Sequence, residues 1–283
     1  MGTPWEPTRR DALKSFLAAA AATGISREAV AGAQAQAQAV EDEKSIYSPF
    51  KMGIQSYSLR HFSLNDALKK TKELGLKYWE SFNAHVPQAA SPSTIARLTR
   101  RFGVQIVGYG VVHFGKDEKA NRELFEFGKR LGINYFSADP DPGSFDNLDK
   151  LVDEYDIAVG IHNHGPGNRY AKIDVIADAI KNHHQKIGCC IDTGHFLRSN
   201  EDPVRAVEVF DKRIFGVHLK DVKDAKTFTI LGKGDLKLAE MLKQLAKRYY
   251  KFCLALEYEE NENEPMEDIK ACLAAVREAL PKP

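Results

Sequence analysis

The sequence predicts an α/β protein, a (β/α)8 barrel forming a single domain, and three observations carry that prediction. From Lys51 onward, short apolar runs alternate with helix-like stretches at a spacing of ~25 to 35 residues, the pattern of repeated β/α units. Eight such units can be counted along the chain. Polar residues gather at the carboxyl ends of the later strand-like runs, the edge on which a parallel barrel builds its active site. No Gly-rich phosphate turn follows the first run, because Met52-Gly53-Ile54-Gln55 continues directly into Ser56-Tyr57-Ser58. That weighs against the main competitor, a doubly wound open sheet with a dinucleotide fingerprint.

The strand-like runs are Met52–Tyr57, Tyr78–Phe82, Gln105–Gly108, Tyr135–Ala138, Ala158–His162, Gly188–Ile191, Phe215–His218 and Cys253–Glu257. Between them lie amphipathic stretches with apolar residues three and four apart: Leu64–Leu74, Asn121–Leu131, Tyr170–Lys181, Leu236–Tyr249 and Met266–Leu280. These are expected to sheathe the barrel. Gly75, Gly103 and Gly132 each follow a helix-like run and precede an apolar one, as a glycine C-cap does. Asn65 and Ser91 stand where helix starts are expected.

A chain of 283 residues is ample for a well-buried core, read here as one domain at 41–283 with an appendage at 1–40. Lys plus Arg number 40 against 39 Asp plus Glu, so no long-range field draws in a polyanion, and nucleic acid is not an expected partner. The four cysteines, Cys189, Cys190, Cys253 and Cys272, form no CxxC pair and no framework spacing, and are expected to pack in the core. At the N-terminus, Thr8-Arg9-Arg10-Asp11-Ala12-Leu13-Lys14 precedes an uncharged, alanine-rich stretch from Ser15 to Ser26, too short to span a bilayer. The alternating Ala and Gln of Ala31 to Ala39 offer several cleavage sites. This region resembles a twin-arginine export signal, which implies a periplasmic protein with no membrane span in the mature chain. An ordinary amphipathic helix with an incidental Arg pair is the alternative.

Four successive strands end in metal-ligand residue types. The fifth ends Gly160-Ile161-His162-Asn163-His164-Gly165, the sixth Ile191-Asp192-Thr193-Gly194-His195, the seventh Val217-His218-Leu219-Lys220-Asp221 and the eighth Leu256-Glu257-Tyr258-Glu259. One such residue is usually only a hydrogen-bonded strand end; four on the same edge point to a site. His and carboxylate donors without thiolate suit one divalent ion such as Mn²⁺, Zn²⁺, Co²⁺ or Mg²⁺. Residues two apart share a side of a strand, so His162 with His164, His218 with Lys220, and Glu257 with Glu259 are expected to point together.

From about Lys51 to the C-terminus the chain resembles the xylose isomerase-like barrel superfamily, in its sugar phosphate isomerase/epimerase group. The matching pattern is a strand-five ligand followed by Asn-His-Gly, then Asp-Thr-Gly-His, His-Leu-Lys-Asp and Leu-Glu-Tyr-Glu. The resemblance implies a metal held by His162, Asp192, His218 and Glu257, with His195 and Lys220 near the substrate. It implies an isomerase or epimerase that abstracts a proton next to a sugar carbonyl through a metal-stabilised enediolate. One departure is informative: the similar epimerases carry a glutamate where this chain has His162. The paired-glutamate acid/base arrangement is therefore incomplete, and the second proton carrier has to come from His164, His195, Lys220 or Glu80.

Two reactions are compatible with these residues. Glu257 abstracts a proton that another group returns, giving isomerisation or epimerisation, or the same intermediate expels a β-substituent, giving a lyase or dehydratase acting on a 3-keto sugar or 3-keto-glycoside. A non-catalytic sugar-binding barrel is a third class, disfavoured because Glu257 is present beside Glu259. No Gly-rich turn or Arg cluster suggests a phosphate cradle, and Lys233 reads as a loop residue, so a free sugar or glycoside is the expected partner. Trp79, Phe82, Tyr109 and Phe114 are candidates for stacking on a sugar ring, and His85 and His113 for lining the pocket. Oligomeric state is left open, a homo-oligomer included.

Overall fold

In the computed structural model, which describes residues 45–281, eight parallel strands close into a barrel. They are β1 (Lys51–Gln55), β2 (Tyr78–Ser81), β3 (Gln105–Phe114), β4 (Tyr135–Pro140), β5 (Ala158–His162), β6 (Ile187–Asp192), β7 (Ile214–Leu219) and β10 (Cys253–Leu256). Closure comes from β1, which pairs with β2 on one side and β10 on the other. Between β7 and β10 the chain adds a short antiparallel hairpin, β8 (Asp221–Lys223) with β9 (Thr227–Thr229). The sequence pattern did not predict this hairpin, since three-residue strands are too short to show a period.

The helices are α1 (Leu64–Glu73), α2 (Pro92–Phe102), α3 (Glu118–Leu131), α4 (Phe145–Tyr155), α5 (Ile173–Ile180), α6 (Thr193–Arg198), α7 (Pro203–Phe210), α8 (Leu238–Lys247) and α9 (Met266–Ala279). Gly103 and Gly132 cap α2 and α3 with φ of 71° and 78°, a left-handed conformation that costs a glycine little. At the start of α1 the expectation for Asn65 is corrected. Ser63 is the N-cap, accepting from the Asp66 N–H, and Asn65 lies inside the helix. Ser91 does hold the N-cap position of α2, but its side chain makes no capping bond and Pro92 opens the helix. The third strand runs six residues beyond its expected end at Gly108, to Phe114.

Strand alternation divides the core into two layers. Inside the barrel, Tyr78, Val107, Tyr135, Ala158, Phe215, Cys253 and Ala255 form a buried plug, with Phe252 packed against it. Outside, an aromatic cluster links strands to helices: Phe125 of α3 lies 5.2 Å from Phe136 and 5.5 Å from Phe114 between ring centroids. Trp79, one residue out of phase with Tyr78 and Glu80, has no exposed surface and stacks on His85 at 5.4 Å. Tyr109 and Phe114 are also buried on this side. The expectation that Trp79, Tyr109 or Phe114 meets a sugar is therefore corrected by strand phase. All four cysteines are buried and unpaired.

The barrel unit begins at Phe50. The export-signal features lie at residues 1–40, outside the described residues. Among the described residues no helix is long and apolar enough to cross a membrane.

Candidate metal centre and active site

Parallel register brings the ends of β5, β6, β7 and β10 to one level: His162 lies opposite Cys190, Asp192 opposite His218, and Ala255 opposite His218. Side chains near those positions converge at the carboxyl mouth. His162, Asp192, His218 and Glu257 are buried and offer ligand atoms that all lie within 4.8 Å of one another. His162 Nε2 is 3.0 Å from His218 Nδ1, which is itself 3.0 Å from Glu257 Oε2, and Asp192 Oδ2 is 3.5 Å from His162 Nε2.

The residues fit a divalent cation on an observation of their own. Asp192 Oδ2 and Glu257 Oε2 are buried without a well-directed hydrogen bond, although Lys220 Nζ lies 3.0 and 3.1 Å away. Buried carboxylate oxygens are normally satisfied, and two of them facing two ring nitrogens form a pocket that a cation completes. Two imidazoles and two carboxylates match the donor preferences of the divalent ions expected from sequence.

Beneath the four donors, a second set of contacts fixes their orientation. Glu80, fully buried at the end of β2, accepts from His218 Nε2 at 2.9 Å, from Tyr135 Oη at 2.6 Å, from Ser137 Oγ and from Gln55 Nε2. This turns Nδ1 of His218 towards the centre, the arrangement in which a carboxylate orients a metal-binding histidine. Glu80 is thus spent on His218, and the expectation that it touches substrate or carries the second proton is corrected.

The motif residues between these four candidate donors have mechanical roles. Asn163 donates to the Asp192 carbonyl and accepts from the Asp192 N–H, both at 2.8 Å, tying β5 to β6. Thr193 Oγ1 donates to the Lys220 carbonyl at 2.6 Å and accepts from the Lys220 N–H at 2.9 Å, tying β6 to β7. Asp192 divides its two oxygens: Oδ1 caps α6 by accepting from the His195 N–H at 2.7 Å, which leaves Oδ2 for the centre. Gly194 is required by space, since a Cβ there would lie 2.7 Å from Lys220 Cγ. Lys220 can then run past α6 to reach Asp192, Glu257 and Glu259 together.

Burial raises the cost of every charge here, so the balance of partners decides the ionisation states. Burial pushes Glu80 up, but the His218 charge and the bonds from His218, Ser137 and Tyr135 outweigh it and hold Glu80 below the usual range. Asp192 and Glu257 are likewise opposed by burial, yet Lys220 pulls both down, so both stay ionised. His218 is disfavoured as a cation by burial but held up by Cys190, Glu80 and Glu257. Lys220 is pushed down by burial and raised more strongly by Asp192, Glu257 and Glu259. Lys220 and a protonated His218 thus stand against the carboxylates of Glu80, Asp192 and Glu257, with negative charge in excess. Burial drives His164 and His195 the other way, to about 4 and about 3, so both are neutral at pH 7.

A cavity of about 280 Å³ opens beside the four donors, lined by Gln55, Tyr57, Phe82, Gly110, Val111, His162, His164, His195, Lys220, Glu257 and Glu259. The expected pairs share sides: the His162 and His164 rings lie 4.7 Å apart, and Glu257 and Glu259 both reach Lys220. Of the aromatic candidates only Phe82 reaches the cavity. His85 is buried outside it, bonding Ser56 Oγ at 3.0 Å and the Phe62 carbonyl at 3.1 Å, so its expected pocket role is corrected. His113 is exposed on the rim and bonds the Asp139 carbonyl, away from the lining. Sequence reasoning missed Gln55, Tyr57 and Phe228. Gln55 and Tyr57 stand at the carboxyl end of β1, where position alone flags them; Phe228 sits on the unpredicted hairpin.

Residues 68–278 match the family model described as xylose isomerase-like TIM barrel, and the chain belongs to that family. No curated protein matches it. Solved structures that share the fold include the IolI protein with a bound zinc atom, at 16% identity and a TM-score of 0.67, covering 81% of this chain and 97% of that one. A sugar phosphate isomerase/epimerase from Parabacteroides distasonis ATCC 8503 matches at 16% identity and 0.64, covering 80% and 93%. The probable 3-DHS dehydratase AsbF from Bacillus anthracis matches at 14% identity and 0.64, covering 80% and 98%.

Proposed function

We propose that this protein is a divalent-metal-dependent sugar isomerase or epimerase that moves a proton next to a carbonyl. The observation that carries this reading is the placement of Glu257. Its carboxylate belongs to the four-donor centre and also faces the cavity, ionised and with Oε2 unsatisfied. A divalent cation held by His162, Asp192, His218 and Glu257 supplies a Lewis acid that polarises a sugar carbonyl. Glu257 accepts the proton from the adjacent carbon. Lys220, cationic between Asp192 and Glu257, keeps Glu257 ionised and steadies the charge that develops on substrate oxygen. His164 and His195, both neutral, form the other polar wall and hydrogen-bond the substrate hydroxyls, while the protonated Lys220, which lines the same cavity, gives a proton to the intermediate and Glu257 passes the one it took back to solvent or to the neighbouring carbon.

The asymmetry of the site favours a second reading, elimination. The Glu257 carboxylate supplies a base, the neutral imidazoles opposite supply hydrogen bonds, and the Lys220 ammonium at the same cavity supplies the proton for a leaving oxygen. Fold neighbours that are a sugar phosphate isomerase/epimerase and a probable dehydratase are compatible with the two readings in turn. The twin-arginine-like N-terminus supports export to the periplasm, where unphosphorylated sugars or glycosides are the available substrates.

Metal analysis followed by incubation with keto sugars and 3-keto-glycosides in deuterated water tests the proposal. Deuterium in an otherwise intact sugar, lost in Glu257→Gln by about 10² to 10⁴-fold, is the expected result. A released aglycone or water identifies elimination instead. A protein that holds no divalent metal and gains none on titration overturns both readings.

A further inference from the structure

We propose that Arg198 is the anion-recognising residue of this site and that the substrate is a sugar acid, its carboxylate seated at the cavity mouth. The inference rests on the proposed sugar chemistry and names its substrate class. Arg198 is the last residue of α6, one turn beyond His195, and it is half-buried. Three neighbours position its guanidinium. The group stacks 5.2 Å over the Phe228 ring, Nη1 lies 3.4 Å from His195 Nδ1, and a Cβ on Gly165 would come within 3.2 Å of it. None of the three carries a negative charge.

Among the described residues, Arg97, Arg100 and Arg101 also lack a carboxylate partner but are exposed, and the half-buried Arg213 is committed to the Ile180 and Ile187 carbonyls, so Arg198 differs in being half-buried with neither. Arg60 pairs with Glu262, Arg122 with Glu154, Arg169 with Asp141 and Arg205 with Asp174. Among the described residues no carboxylate lies within ion-pair distance of Arg198. A half-buried guanidinium held in one orientation without a counter-ion is a site prepared for an anion.

Its place relative to the chemistry is equally specific. His195 lines the cavity, and its ring lies 6.0 Å from that of the ligand residue His162. Arg198 is not itself part of the lining but contacts His195, which is, so a substrate that reacts at Glu257 and extends past His195 meets the guanidinium. Lys220, the other cation near Phe228, cannot take that role because Asp192, Glu257 and Glu259 already surround it. A single planar fork matches a carboxylate in bidentate fashion. A phosphate dianion normally recruits several donors, such as a Gly-rich turn or a helix N-terminus, which this rim does not add.

Isothermal titration of the metal-loaded full chain with D-glucuronate, D-glucose and D-glucose 6-phosphate tests the proposal. Glucuronate is expected to bind at least tenfold more tightly than glucose, a preference that weakens with salt. The glucuronate-to-glucose ratio is expected to fall to near one in Arg198→Gln. Gly165→Ala, which keeps the charge but displaces the guanidinium, is expected to reduce it in part. Absent glucuronate binding, equal binding of glucuronate and glucose, a ratio unchanged in folded Arg198→Gln, or preference for the phosphate over the carboxylate each overturns the proposal. Failure here with Glu257-dependent deuterium exchange intact removes only the substrate class. A carboxylate preference without exchange leaves the anion site standing and removes the reaction.

Discussion

Replacing Glu80 by Gln isolates the contribution of a residue that touches no substrate. The change keeps the side-chain volume but removes the charge opposite His218 Nε2, 2.9 Å away. A hydrogen bond to a charged partner is worth about 1.5–3 kcal/mol and a neutral one about 0.5–1.5, so the exchange costs the His218 contact about 1–1.5 kcal/mol. The new amide also brings a second donor to face those of Tyr135, Ser137 or Gln55, which all donate to Glu80. Since about 1.4 kcal/mol is tenfold, divalent-metal affinity is expected to fall roughly tenfold in Glu80→Gln. In Glu80→Ala, which strands those donors as well, the fall approaches a hundredfold, the upper end for such supporting residues. Calorimetric metal titration reads the effect, with circular dichroism and thermal melting confirming the fold. A folded Glu80→Gln protein with unchanged metal affinity would refute the assignment of Glu80 as the group that orients His218.

Two further outcomes follow from the same centre. Divalent metal at about 100 times its Kd is expected to stabilise the protein by about 2.7 kcal/mol, raising Tm by roughly 5–11 °C for a domain of this size. A chelator should reverse the rise, and melting unaffected by any divalent ion would exclude a centre that binds only the folded state. The pH dependence of the metal-free protein has a definite sign. Burial lowers the His164 pKa from 6.5 to about 4, so the unfolded chain takes up this proton first as pH falls. Stability from His164 is complete above about pH 6.5 and is lost between there and about pH 4. His164→Gln should therefore flatten the decline of Tm across that window, and an identical slope in both proteins would show that His164 is not the group responsible.

Much of this was legible in the sequence because the relevant signals are local and periodic. Apolar runs at regular spacing define the β/α units, and a strand's alternation of two assigns sides without any knowledge of the rest of the chain. Hence the four strand ends that carry His162, Asp192, His218 and Glu257 could be picked out, the choice of these four as ligands being what the family resemblance implies, and the pairing of Glu257 with Glu259 followed from counting. Their meeting within 4.8 Å depends on register between strands, which the sequence does not encode locally.

Tertiary structure decided the rest. Trp79 and Glu80 are neighbours on one strand and both looked like substrate contacts, yet phase sends Trp79 outward, buried against His85, and Glu80 inward beneath His218. His85 and His113 were expected near strand ends just as the candidate ligands were, but one is folded back onto Ser56 and Phe62 while the other rests on the rim. The protonation states belong to this level too, because burial raises the cost of a charge and only the three-dimensional partners offset it: Lys220 stays cationic among three carboxylates, whereas His164 and His195, less well compensated, remain neutral. Sequence by itself determined that the ends of the last four barrel strands bring histidines, carboxylates and Lys220 to the barrel mouth. Only the closed barrel decided which of them face one another, since that depends on side-chain direction and exclusion of water across strands far apart in the chain.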